Sequence, residues 1–337
     1  MGGKAYIEHP GKVVEDGRFK YMMALALNPL SGYKEGIIRC ITSREGDVQV
    51  RGYVDRSQLY ATSGDSPEHF VVGERLKIKN EEQVVGALTP DSWECIGLED
   101  PDIWIDSETG LTHVYFTIPI KLPESQEKIR IHLGHAVGKD LHSLEMTEPA
   151  LLDDQTTAAG AKEISVAPIN AHGVRYNLIE SRDRDQEGTC SVVRVAIVED
   201  MGKPWQYGDI AFHPKEHSIP WIGHHASPGP LFSKEFIDVG KGKLLGIMNG
   251  REVSQEVGDE VRYGMFSVGL FIYDYENGKI DWVSQEPLIR DSEARTITFA
   301  SQFVETGTGE GILYAHVDDS FVRAYTLYAE GMRALLP

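Results

Sequence analysis

The residues best suited to chemistry come in small charged clusters. Glu99 and Asp100 are adjacent in GLEDPDIWID, Lys162 and Glu163 in AKEISVAPIN, and His224 and His225 in WIGHHASPGPLF. Asp291, Glu293 and Arg295 surround the start of ARTITFASQF, and Asp318 and Asp319 follow in YAHVDDSFV. Carboxyl groups that converge raise one another's proton affinity, so one can stay protonated near neutral pH. A proton held that way is what a general acid at a glycosidic oxygen requires. Pro101 favours an extended backbone at Asp100. Alternation along a strand then sends Glu99 and Asp100 to opposite faces, one to a pocket and one to a neighbouring element. Trp93 and Trp221 stand beside two of these clusters and are candidate platforms for a sugar ring. Trp104, Tyr115, Tyr176, Trp205 and Tyr314 suit the core of a β-structure as well as they suit a ligand.

The spacing of the clusters says what must position them. With Asn28, Asp100, Glu163, His225 and Glu293 as markers, the gaps are 72, 63, 62 and 68 residues. Between them lie short runs rich in Tyr, Phe, Val and Ile, such as THVYFTIPI, CSVVRVAIV, GMFSVGLFIYD and GILYAHV, punctuated by turns such as SETG, ENGK and INAHG. Most gaps are too short for the crossover helices of a parallel sheet. The pattern predicts an all-β chain, a five-bladed β-propeller whose innermost strands deliver the polar clusters to one shared pocket. Residues 1–337 are expected to form that single domain, with a short N-terminal extension and a C-terminal tail. Residues 122–128 and 145–162 read as loops or small helices, and YTLYAEGMRALL as a strand followed by a short helix. GTGEG at 307–311 and GKGK at 240–243 read as hairpin turns, since neither has the P-loop ending or a following helix.

Composition excludes several classes. The formal net charge is −19, the opposite of a nucleic-acid-binding surface. No apolar run is long enough to span a bilayer as a helix, and the first residues carry no apolar core of a secretory signal. Cys40, Cys95 and Cys190 are far apart and lack metal-site spacing, which points to a reducing, cytoplasmic setting and away from disulfides or structural zinc. WD40-type signatures are absent, as are a G-x-S-x-G elbow and an H-E-x-x-H helix.

Taken together, RGYVDRSQLYATSGDS, GLEDPDIW, GHHASPGPLF with KLLGIMNG, YGMFSVGLFIYD, EPLIRDSEARTITFASQFVE and LYAHVDDSFVRA resemble glycoside hydrolase family 130, the β-mannoside phosphorylases and β-mannosidases. The resemblance spans roughly residues 20–328, and the chain is distantly similar to family 43 propellers. It implies inverting cleavage of a β-linked mannoside or related oligosaccharide, with no cofactor and no metal. It places the proton donor on Asp100 and sugar contacts on Glu99 and Asp319. Arg39 would face the anion or reducing-side region. Lys162 sits where the family often has a basic residue, and Glu163 becomes the candidate water-orienting base, with Glu293 as its competitor.

Two departures bear on the attacking group. Position 102 is Asp where the family motif continues with Arg, and Met248-Asn249-Gly250 replaces Tyr-His-Gly. Both remove groups that suit phosphate. Hydrolysis is therefore expected ahead of phosphorolysis, with Arg39, Lys162, His224 and His225 as the cations left to hold inorganic phosphate in the alternative. A non-catalytic carbohydrate-binding propeller is the reading from a different class. Oligomeric state is not legible in these residues.

Overall fold

The computed structural model describes residues 3–90, 92–123, 129–153, 159–185 and 188–337. The expected loops at 122–128 and 145–162 lie partly outside them. The chain is all-β. Among the described residues, five consecutive four-stranded antiparallel units can be followed, the third and fourth joined into one eight-stranded sheet by a parallel bridge between Ser191 and His225. The first unit is Met22–Leu27, Glu35–Glu45, Val54–Ser66 and His69–Arg75. The second is Glu99–Ile105, Thr112–Lys121, Ile129–Gly138 and Glu145–Met146. The third is Lys162–Ser165, Arg175–Asp185, Gly188–Val198 and Gln206–Phe212. The fourth is His225–Leu231, Lys243–Arg251, Phe266–Asp274 and Lys279–Val283. The fifth is Thr298–Gly307, Glu310–Val317 and Phe321–Tyr328, completed at its outer edge by Tyr6–Glu8 from the other end of the chain. Tyr328 leads directly into a short helix, Ala329–Arg333, as YTLYAEGMRALL predicts.

Burial follows position within a unit. Second strands such as Thr112–Lys121 and Glu310–Val317 are buried almost throughout, because apolar side chains cover both of their faces. The outer strand His69–Arg75 begins by alternating exposed and buried residues, as a half-solvated edge should.

Packing between units explains why the first strands converge. Tyr115, Leu133, Ile179 and Ala196 join units two and three. Leu178, Val193, Phe271 and Tyr273 join three and four, and Ile247, Leu270, Leu313 and Tyr325 join four and five. Leu25, Ile38, Tyr314 and Val322 join five back to one, and Ile37, Leu59, Phe116 and Ile118 join one to two. The first strand of each unit also touches the first strands of the units before and after it, the fifth returning to the first.

These first strands are irregular at a shared position. Ala24, Asp100 and Glu163 have φ of 50°, 47° and 49°, and each lies where the register to the second strand shifts. A non-glycine residue in the left-handed region costs energy and marks a bulge that re-aims side chains. The extended backbone expected at Asp100 from Pro101 is thus not adopted. The bulge also cancels the strand alternation expected for Glu99 and Asp100. Asn28, taken as the first marker, instead caps the short turn Pro29–Ser31 by accepting from Leu30 N at 3.0 Å. The equivalent position in unit one is Ala24.

Candidate active site

The first strands meet around a cavity of about 250 Å³, at the small end for ligand pockets. Arg39, Glu99, Asp100, Lys162, Glu163, His225 and Asp319 all line it. Sequence distances of more than 200 residues are therefore closed by the strand arrangement.

Arg39 organises the acid pair. Its Nη1 donates to Asp100 Oδ1 at 2.9 Å, its Nη2 to Glu99 Oε1 at 2.5 Å and its Nε to Ser57 Oγ at 3.1 Å. Glu99 and Asp100 thus share one guanidinium and one pocket, because the bulge turns both inward. Gly97 permits the approach that precedes them. Its φ is 142°, and a Cβ there would stand 2.1 Å from Ser57 O.

Glu163 enters from the next unit. Among the described residues, nothing donates a hydrogen bond to its carboxyl group. Burial, then like-charge repulsion with Asp100, which disfavours ionising both groups together, raises its proton affinity well above the carboxylate range, with Lys162 opposing. Burial likewise pushes Glu99 up to about 7, although Arg39 pulls the other way. Asp102 is pushed up to about 8 by burial, against the pull of Ile164 N, which donates to its Oδ2 at 3.4 Å. Burial thus raises the proton affinity of Glu99 and Glu163 in the cavity wall and of Asp102 behind it.

Other carboxyl groups at the site have cationic or hydrogen-bonding partners that favour their charged form. Glu180, on the second strand of unit three, stands 2.9 Å from His225 Nε2 and 3.5 Å from Lys162 Nζ. Burial pushes Glu180 up, but His225 and Lys162 outweigh it and hold it at about 2. Burial lowers the His225 imidazole, with Glu180 resisting. Burial would also lower Lys162, yet Glu180 and the pocket carboxylates keep it charged. Asp319 accepts from Tyr53 OH at 2.8 Å and faces His316 Nε2 at 3.3 Å. Burial opposes its charge, but His316, Tyr53 and Arg39 hold it below the usual carboxylate range. Its neighbour Asp318 is instead committed to the backbone N–H groups of Arg295, Thr296 and Ile297.

Four expected site residues lie elsewhere. Trp221 is core, packed between units three and four with Nε1 donating to Ser284 O. Trp93 packs on the one–two core, and Arg130 lies 4.2 Å from its ring centre. His224 faces outward, because strand alternation gives the pocket to His225. The Glu293 side chain is 66% exposed and pairs with Arg323 at 2.8 Å, away from the cavity. Asp102 and Asn249, the two departures from the family motif, do not line the cavity either. Asn249 is buried and makes two hydrogen bonds to the Ala300 backbone.

Sequence reasoning missed Glu180, Tyr53, Arg251 and His316. Glu180 is the one acidic residue within the buried run NLIES, a signal that was available. Among the described residues, no three His, Cys, Asp or Glu side chains are grouped to hold a metal ion. No helix among them is long and apolar enough to cross a membrane.

No family model and no curated protein matches the chain. Solved structures do. One comes from work stating that the GH130 family of mannoside phosphorylases contains glycoside hydrolases that target β-1,2 mannosidic linkages in Candida mannan. It is 15% identical, with a TM-score of 0.67, over 96% of this chain and 93% of that one. A glycosyl hydrolase from Bacteroides ovatus is 15% identical, with a TM-score of 0.64, over 92% of this chain and 84% of that one. A β-1,2-mannobiose phosphorylase from Listeria innocua is 14% identical, with a TM-score of 0.59, over 99% of this chain and 90% of that one. The likeness to family 43 finds no support among these three. At such identities the chain shares their fold, and it does so along nearly its whole length.

Proposed function

We propose that this protein is a family-130-like enzyme that cleaves a β-linked mannoside or related oligosaccharide with inversion. The observation that carries the reading is Asp100, turned into the cavity by a left-handed bulge beside Glu99, Arg39 and Glu163. Asp100 gives its proton to the leaving oxygen, directly or through a sugar hydroxyl. Glu99 and Asp319 bind the sugar, while Arg39 fixes the acid pair. The ring of unit contacts supports a single five-bladed propeller over the whole chain. The reducing, cytoplasmic setting stays part of this proposal, with Cys40 and Cys95 as thiols and not in disulfides.

The attacking group follows from Glu163. A carboxyl whose proton is held well above the ordinary range is a poor base for water near neutral pH. Phosphate carries its own negative charge and needs no such base. The absence of Arg at 102 and of His at 249 loses its force, since neither position lines the cavity. Inorganic phosphate is therefore the acceptor we favour, on the raised proton affinity of Glu163, reversing the order expected from sequence. It attacks the anomeric carbon as the glycosidic bond breaks, and the leaving oxygen takes the proton from Asp100. The products are a sugar 1-phosphate of inverted configuration and the shortened glycan.

Hydrolysis is the second reading, favoured by the number of carboxylates around the cavity, with Glu163 orienting water. Incubating β-mannosides with and without inorganic phosphate decides between them. Strictly phosphate-dependent sugar 1-phosphate supports the first reading, and free mannose at the same rate without phosphate supports the second. Binding without turnover of β-mannosides, β-glucosides and arabinosides would leave a carbohydrate-binding module.

A further inference from the structure

Arg251 is a cation in the cavity wall that the described residues leave without a counter-charge. It ends the second strand of unit four, directly opposite His225 in the register. Arg39 is paired with two carboxylates and Lys162 with Glu180. Among the described residues, Arg251 has no ion pair, and its buried Nε has no hydrogen-bond partner. A guanidinium stays charged at any accessible pH, so a partly buried one without a counter-charge is costly unless a ligand supplies it.

The surroundings fix its attitude. The guanidinium carbon lies 4.2 Å from the centre of the Phe266 ring and 4.3 Å from that of Tyr263. Aromatic contact occupies its faces and leaves the in-plane N–H donors as its free edge. Tyr263 is held from across the cavity. The segment after Arg251 forms a hairpin, Gln255–Val257 with Glu260–Arg262, that docks on the loop of unit one. There Arg51 N donates to Val261 O and Tyr263 N to Gln49 O, both at 2.9 Å. The Tyr263 ring meets Tyr53 edge-on at 6.3 Å. Units one and four thus hold Arg251 ready before any ligand arrives.

We infer that Arg251, clamped by this strap, anchors an anionic oxygen in the cavity, with inorganic phosphate as the ligand. The inference rests on the phosphorolytic reading for its role in turnover, but not for the binding itself. The docked hairpin is then a positioning element, acting on the anion through Tyr263.

The test is calorimetric titration of inorganic phosphate into the sugar-free protein, followed by product analysis. Wild-type protein should bind phosphate, Arg251→Met should lose at least tenfold in affinity, and Tyr263→Ala should lose less. Arg251→Lys keeps the charge but not the planar fork and should fall between. It also serves as the variant if Arg251→Met fails to fold. Equal phosphate binding by wild type and Arg251→Met overturns the inference, as does no binding by wild type. Phosphate-dependent turnover with an unchanged phosphate KM in Arg251→Met removes Arg251 but keeps the phosphorolytic reading. Free sugar as the only product, with phosphate affinity lost in Arg251→Met, does the reverse.

Discussion

Two acidic clusters in this protein use the same residue types to opposite ends. At the closure of the fifth unit, buried Asp291 accepts from Arg323 Nε at 2.7 Å and Tyr325 OH at 2.5 Å on Oδ2, and from Glu293 N at 2.8 Å on Oδ1. Both oxygens are engaged. Around the cavity, Glu163 accepts no hydrogen bond from the described residues, and Glu99 and Asp100 share one guanidinium. The first cluster locks the last unit to itself and, through Arg323, to the backbone of His9 and Gly11. The second leaves lone pairs and protons available to a ligand. What separates a structural carboxylate from a reactive one here is saturation.

The sharpest way to break the comparison is to remove one carboxylate from each cluster. Asp100→Asn should lower turnover about 10²- to 10⁴-fold, the usual contribution of a positioned acid. Its thermal unfolding midpoint should stay near that of wild type. Near-full activity in a steady-state assay would remove Asp100 from the chemistry. Asp291→Ala should do the opposite. It leaves Arg323 buried without its main partner, and loss of one member of a buried pair costs about 3–5 kcal/mol. Denaturant unfolding should show that loss, while the folded fraction keeps its kcat. A stable Asp291→Ala protein without activity would mean the two regions are not separable.

A smaller effect tests the protonation state of the cavity. Burial raises Glu99 to about 7 in the folded protein, above its ordinary value of 4.5. A carboxyl raised on folding contributes stability that is fully present below about 4.5 and lost as pH rises through about 7. Glu99→Gln cannot titrate, so its stability relative to wild type should increase across that window. Parallel curves of melting temperature against pH for the two proteins from pH 4.5 to 8 would overturn the raised proton affinity of Glu99. His135, lowered to about 3 chiefly by burial, contributes a loss in the other direction as pH falls below 6.5. The difference between variant and wild type cancels that contribution.

Much of this was legible before the structure. Alternating strand runs and turn signals gave the all-β class, and cluster spacing brought Asp100, Glu163 and His225 into one cavity from three units. The limit was direction. A left-handed bulge is a tertiary outcome, and at Asp100 it overrode both the proline bias and strand alternation. Chain adjacency misled for the same reason. Trp221 and His224 flank a pocket strand, yet one packs into the core and the other faces outward. Arg251 carried no signal, because its importance lies in the carboxylate it lacks.

Glu293 offers the finest test, since sequence spacing placed it with the reactive carboxylates and the structure places it with the structural ones. Its side chain is mostly exposed and pairs with Arg323 at 2.8 Å, while Asp291 already occupies Arg323 Nε. An exposed ion pair to an arginine that has a better partner contributes about 0–1 kcal/mol. The Glu293 backbone N–H, which bonds Asp291, survives truncation of the side chain. Glu293→Ala should therefore change stability by no more than that and leave kcat/KM within about twofold, a difference of roughly 0.4 kcal/mol in transition-state binding. If Glu293→Ala instead falls a hundredfold in kcat with stability intact, the fifth-unit closure belongs to the active site and saturation is the wrong criterion. If stability alone collapses, Glu293 and not Asp291 anchors Arg323, and the division between the two clusters stands with a different residue at its centre.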